Sequence, residues 1–160
     1  MKKIVIDGHN LIPKVPGIQL ADPDDENKLI QMIGEYCRLS RTRADLFFDG
    51  APAGSTPRSR HGLVSVHHVK QGGTADDAII RHLRREGQNA RNILVISSDH
   101  RVQVEAKALR AETMTSEAFN STMQQTFSSP AVIDAIRNKP PSEAEVEEML
   151  KLMQETRKKS

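Results

Sequence analysis

The sequence predicts an α/β domain with a central, mainly parallel sheet flanked by helices, and three observations predict it. Short apolar runs at Ile4-Val5-Ile6, Leu46-Phe47-Phe48 and Ile93-Leu94-Val95-Ile96 are bounded by Gly and polar residues, as buried strands are. Segments with apolar residues at helical spacing lie between them, and strands alternating with helices favour parallel pairing. Each apolar run also leads into an aspartate, namely Asp7, Asp49 and Asp99.

Residues 3–6 are the first expected strand, and Pro13, Pro16, Gly17 and Pro23 mark the loop after it. Asp24-Asp25-Glu26 then opens a helix, because acids in a first turn complement the helix dipole, and Leu29, Ile33, Tyr36 and Cys37 form its apolar face. Residues 45–48 are the second strand. Pro52, Gly54, Pro57 and Gly62 mark a long loop, followed by a weaker strand at 64–69, expected at a sheet edge. Thr74 to Arg85 reads as a helix with Thr74 as N-cap and Asp77 completing a capping box. The most apolar strand, 93–96, follows, with the first strand expected beside it. Next come a helix at 101–109, a short strand at 112–114 and a helix carrying Phe119, Met123 and Phe127.

Residues 1–127 therefore read as one domain and 128–160 as a helical C-terminal extension. In the extension, Ser129-Pro130 starts a short helix through Arg137, and Lys139-Pro140-Pro141 breaks it. Ser142 and Glu145 cap a last helix with Val146, Met149, Leu150 and Met153 on one side, a candidate homodimer surface.

The chain has 160 residues, with 37% hydrophobic and 28% charged content, which suits a folded domain with a full core. No run approaches the roughly 18 apolar residues of a membrane span, and no signal-peptide core is visible, so no membrane partner is expected and the cytoplasm is the expected location. Cys37 stands alone, which excludes an internal disulfide and a cysteine-based zinc site. The net charge is only +2, but Ala51 to Ala75 contains no acidic residue while Arg58, Arg60, His61, His67, His68 and Lys70 fall there. Arg81, His82, Arg84, Arg85 and Arg91 continue the basic stretch against Glu86. A basic surface beside an acidic pocket suits a polyanion whose scissile phosphate meets metal.

In open α/β sheets, functional groups gather at the carboxyl ends of strands. Asp7 and Asp99 would meet there, and carboxylates so crowded need protons or cations to offset their repulsion. Asp76 precedes Ile79, Ile80 and Leu83 by helical spacings, which turns it toward the sheet; Asp77 is the better cap but can contribute through water. Oxygen donors favour Mg²⁺ or Mn²⁺. Asn10 is placed to orient a ligand or phosphate, and Ser97 and Ser98 to donate hydrogen bonds. A lone aspartate after a strand is usually a turn or cap residue; three of them with Asp76 make a stronger pattern. His67 and His68, adjacent on a strand, would point to opposite faces and do not suggest zinc. No nucleophile elbow, Walker loop or dinucleotide fingerprint is present.

Ile4-Val5-Ile6-Asp7-Gly8-His9-Asn10-Leu11-Ile12, Phe48-Asp49-Gly50, Gly73-Thr74-Ala75-Asp76-Asp77 and Val95-Ile96-Ser97-Ser98-Asp99 together resemble the NYN domains, in particular the YacP-like ribonucleases, relatives of the PIN-domain nucleases. The resemblance covers residues 1 to about 127. It implies a PIN-like three-layer fold and an Mg²⁺- or Mn²⁺-dependent endoribonuclease with Asp7, Asp76 and Asp99 as the core acidic ligands. Asn10, Asp49 and Asp77 would support them. The chain departs from the pattern in having His9 where an aromatic is common and Asp77 where glutamate is common.

The expected function is hydrolysis of RNA phosphodiester bonds by metal-activated water, with RNA as partner, on or near ribosomes. The phosphate backbone is expected to cross the 51–73 loop and the basic helix, touching Arg58, Arg60, Lys70 and Arg81, with Asn10 and Ser98 nearer the reacting phosphate. The alternative is a non-catalytic RNA-binding adaptor that retains the fold. A haloacid-dehalogenase-type phosphatase would need an aspartate where His9 stands.

Overall fold

The computed structural model describes residues 2–19, 24–51, 54, 56–70, 72–130, 148 and 150–153. Six strands form one sheet: β1 (Lys2–Asp7), β2 (Thr42–Ala51), β3 (Arg58–His61), β4 (Val64–Lys70), β5 (Ile93–Ile96) and β6 (Glu112–Met114), in the spatial order β3-β4-β2-β1-β5-β6. All neighbours pair in parallel except β3 and β4. Among the described residues the helices that accompany them are α1 (Gly8–Leu11), α2 (Asp25–Ser40), α3 (Ala75–Glu86), α4 (His100–Ala108) and α5 (Ser116–Phe127).

The period-2 alternation of each strand divides the core into two layers. Ile4, Ile6, Leu46 and Phe48 pack with Leu29, Met32 and Ile33 of α2 and with Phe119 and Met123 of α5. Val5, Phe47 and Val95 face the other way, against Ile79 and Leu83 of α3 and Val102 and Ala106 of α4. Asp7 continues the Val5 face, so the first strand delivers its carboxylate to the layer where α3 begins.

Strand β1 lies between β2 and β5, in register through Ile6↔Leu46 and Ile6↔Ile96. The chain runs outward from β1 to β2 and β4, then returns to β5 on the other side of β1. That reversal opens a crevice at the carboxyl ends of β1 and β5, where open sheets of this kind bind ligands. The expected adjacency of the first strand and 93–96 holds.

Two expectations are corrected. The 51–73 segment is not a loop around a weak edge strand: Arg58–His61 forms β3, which pairs antiparallel with β4 through Arg58↔His67 and His61↔Val64. β3 therefore takes the edge, and β4 is an inner strand with Val64 and Val66 fully buried. The Arg- and Ser-rich β3 has no apolar alternation and is placed by its pairing with β4, which is why its sequence reads as loop. The capping box of α3 forms only in part: Thr74 Oγ1 accepts from the Asp77 N–H at 3.2 Å, while the Asp77 carboxylate turns away to Arg101. The helix expected from Ser129-Pro130 and the Ser142/Glu145 cap lie mostly or wholly outside the described residues. Among the described residues, no helix is long and apolar enough to cross a membrane.

Candidate active site

The local sequence brings Asp7 to the crevice through a tight turn. Gly8 follows directly, and a Cβ there would run into the Phe48 ring and lie 3.0 Å from the Phe47 carbonyl oxygen, so only glycine lets α1 start this close to β2. Asp7 is 7% exposed. Burial, followed by the charge and hydrogen-bonding contact of Asp76, pushes its carboxyl up to about 7, against the nearby backbone N–H of Asn10. Asp49 adds a further repulsion. Asp76, in the first turn of α3, is also raised, by burial and then by the charge of Asp99; its contact with Asp7 and the Arg101 guanidinium oppose the rise. Four carboxylates, those of Asp7, Asp49, Asp76 and Asp99, thus act on one another at the strand ends.

Asp99 also serves as the N-cap of α4, its Oδ1 accepting from the Val102 N–H at 3.1 Å. The structural role that a lone aspartate usually has is therefore filled, and Asp99 still acts electrostatically on Asp76. Asp77 is not brought into the cluster. Its carboxylate accepts from Arg101 at 2.6 Å on the exposed side of α3, and the guanidinium holds it below the usual carboxylate range.

Asn10 and Ser98 are stitched into the scaffold rather than left open. Asn10 Oδ1 accepts from the Ser98 N–H at 2.9 Å and from Ser116 Oγ at 2.6 Å, tying α1 to the end of β5 and the start of α5. Ser98 Oγ donates to Glu117 at 2.7 Å and accepts from the Ser116 N–H. Ser97 is fully buried, its Oγ accepting from the Asp99 N–H at 3.1 Å, which sets the turn that presents Asp99.

Of the basic residues, Arg58, Lys70 and Arg81 meet in one cleft of about 510 Å³ between the β3–β4 hairpin and α3, joined by Arg85, His67, His68 and His82. Its lining contains no acidic residue and reaches Gly73, three positions before Asp76. Arg60 is not in this cleft; its Nε donates to the Gly62 carbonyl in the hairpin turn. A second cleft, of about 440 Å³ between α3 and α4, shares Arg81 with the first and adds Arg84 and Arg101, which pair with Glu105 and Asp77.

Histidines are where sequence reasoning missed most. His9 Nδ1 lies 2.8 Å from Asp49 Oδ1 and its Nε2 3.0 Å from Glu26 Oε2; the other Glu26 oxygen lies 3.2 Å from His68 Nε2. On the opposite face, His67 Nε2 lies 2.8 Å from Asp45 Oδ1 and its ring stacks on Phe47. The two adjacent histidines do diverge as alternation requires. The only sequence signal for these networks is the position of His9 between the aspartate and asparagine of the first motif.

The family model of the YacP-like NYN domain matches residues 4–159. The chain belongs to the YacP-like NYN family. That family is nuclease-related and RNA-directed. Its match runs on into the C-terminal segment, past the 1–127 stretch in which the motifs lie. The fold is that of the crystal structure of Rae1 (YacP) from Bacillus subtilis, with 24% identity and a TM-score of 0.68 over 99% of this chain and 96% of that one. A single-residue mutant of the same protein gives 23% identity and a TM-score of 0.64, covering 95% and 92%. No curated protein sequence matches the chain.

Proposed function

We propose that this YacP-like NYN domain is a divalent-metal-dependent endoribonuclease whose core acidic set is Asp7, Asp76 and Asp99, with Asp49 at its edge. The observation that carries the reading is the burial of the Asp7 carboxyl at the end of β1, beside the first turn of α3 that bears Asp76, where Asp49 and Asp99 add further negative charge. Such a cluster costs stability in the free protein, and a hard cation with oxygen donors offsets it.

The donor set fits Mg²⁺ or Mn²⁺ by its chemistry: it is all oxygen, with neither cysteine nor histidine directed at Asp7. Among the described residues, no group of three or more donors already stands in coordinating geometry. Mg²⁺ or Mn²⁺ held by Asp7, Asp76 and Asp99 would polarise the scissile phosphate and supply an activated water. The chain's own residues do the rest. Ser97 and the Asn10–Ser98–Ser116 bonds hold the strand ends in place, and the basic cleft binds the phosphate backbone leading to the site. Asp77 fits a different part, pinning Arg101 over the start of α3.

The unassembled donor geometry favours one other reading, a non-catalytic RNA-binding protein on the same frame. Incubating purified protein with total RNA and Mn²⁺, with chelator and Asp7→Asn controls, separates the two. Metal-dependent cleavage lost in Asp7→Asn supports the nuclease; RNA binding with no cleavage at any metal concentration supports the adaptor.

A further inference from the structure

We propose that His9 is a positioning residue of this site: its imidazole holds the Asp49 carboxylate at the edge of the Asp7–Asp76 pair, and Glu26 and His68 hold the imidazole. The proposal rests on the metal-site reading above and adds to it side chains from α2 and β4.

Asp49 lies on β2 two residues beyond Phe47, the register partner of Asp7, and so past the end of β1. Its side chain is 43% exposed, and a short side chain so placed samples several rotamers unless something holds it. His9 Nδ1 does so at 2.8 Å. A ring held at one nitrogen can still pivot, but the second nitrogen of His9 is held by Glu26 Oε2 at 3.0 Å. Glu26, in the first turn of α2, is fixed in turn by His68 Nε2 at 3.2 Å from its other oxygen. Phe48 supplies a shared wall, its ring centroid 5.1 Å from that of His9 and 5.8 Å from that of His68. The result is a continuous arm, His68–Glu26–His9–Asp49, from an inner strand through the start of α2 to the acidic cluster.

A purely structural ion-pair chain would change melting temperature and leave metal affinity alone. An arm that orients a carboxylate near a cation acts on affinity, and partners of this kind alter it by about tenfold or more when removed. His9→Phe keeps a ring on Phe48 while removing both hydrogen bonds, and the carboxylates it frees are exposed enough to be solvated.

The test is Mn²⁺ titration by calorimetry of the wild-type protein, His9→Phe, Asp49→Asn and the double variant, each with a thermal melt. We expect His9→Phe to weaken Mn²⁺ about tenfold, and to have no further effect once Asp49 is Asn. Glu26→Gln should weaken Mn²⁺ in the same direction and carries the test if His9→Phe does not fold. Unchanged or tighter binding in His9→Phe, or a loss that persists in the Asp49→Asn background, overturns the positioning role. Absence of Mn²⁺ binding in the wild type instead overturns the metal-site reading beneath it.

Discussion

Asp7 and Asp76 approach each other from elements far apart in sequence, the end of β1 and the first turn of α3, and Asp76 raises the energy of ionising the buried Asp7. Asp7→Asn should therefore stabilise the metal-free protein near neutral pH while removing activity. Relief of this repulsion is worth on the order of 1–2 kcal/mol, or a rise in melting temperature of about 3–6 °C for a domain of this size. Differential scanning fluorimetry in chelator checks the first part and an Mn²⁺ cleavage assay the second. A variant that is both destabilised and fully active would remove Asp7 from the site.

The same pair makes stability depend on pH in the sense opposite to most aspartates. Asp7 has a folded pKa of about 7 against an ordinary 3.8, so the folded state binds a proton that the unfolded state has released across that window. Its stabilising contribution is complete below about pH 4 and is lost as pH rises through about 7. His9 is raised above 6.5, with burial opposing the contributions of Asp49 and Glu26, so its contribution falls in the same direction as pH rises through its folded value. The urea midpoint in chelator should be higher at about pH 5.5 than at about pH 8, by on the order of 2 kcal/mol once converted. Saturating Mn²⁺ should flatten the difference, since a cation takes over the role of the proton. A chelated protein more stable at the higher pH would contradict the buried, proton-sharing environment of Asp7.

Much of this arrangement could be read from the chain because it rests on strong local signals. The apolar runs of β1, β2 and β5 are short, continuous and each followed by aspartate. The 79, 80 and 83 face of α3 fixes which of its two acids turns inward. β3 was hidden because Arg58-Ser59-Arg60-His61 carries no alternation; antiparallel pairing with β4 makes it a strand. Asp77 looked like a box-closing acid because its spacing from Thr74 is right, yet Arg101, from α4, competes for it. Glu26 and His68 were invisible as partners of His9 because three-dimensional closure, and not spacing, brings α1, α2 and β4 together.

Further down the same sheet face as Asp7, Asp45, the register partner of Val5, is predicted to matter for stability alone. Burial would raise its carboxyl, but the hydrogen bond from His67 and the proximity of His82 outweigh it and hold Asp45 well below the usual range. His82 Nε2 is 3.5 Å from Asp45 Oδ2, is buried and makes no hydrogen bond, so His67 carries the interaction. Asp45→Asn should cost about 1–3 kcal/mol in urea unfolding at neutral pH, with Mn²⁺ affinity unchanged. A change in metal affinity instead would mean that Asp45 is coupled to Asp7 along this face.

The last prediction concerns the route of the RNA. Both clefts beside α3 contain arginines and Arg81 borders both, but the other two arginines of the α3–α4 cleft are engaged, Arg84 at 3.7 Å from Glu105 and Arg101 at 2.6 Å from Asp77. Binding phosphate there would mean breaking those pairs. Arg58, Lys70 and Arg81 line a cleft without a carboxylate, and among the described residues none of them forms a salt bridge. Neutralising these three to Gln should weaken binding of a single-stranded RNA to metal-free protein. It should also reduce the slope of log K against log salt by roughly 2, at about 0.7 per phosphate contact for three contacts. Arg84→Gln with Arg101→Gln should change the slope little, and so should Arg60→Gln, since Arg60 lies outside the cleft. Measured by fluorescence anisotropy between about 50 and 200 mM salt, a triple-variant slope equal to wild type would show that the backbone does not follow the β3–β4 side of α3. A loss confined to the Arg84/Arg101 variant would move the path to the other side of the helix, where Asp77 would then have to release Arg101 for RNA to bind.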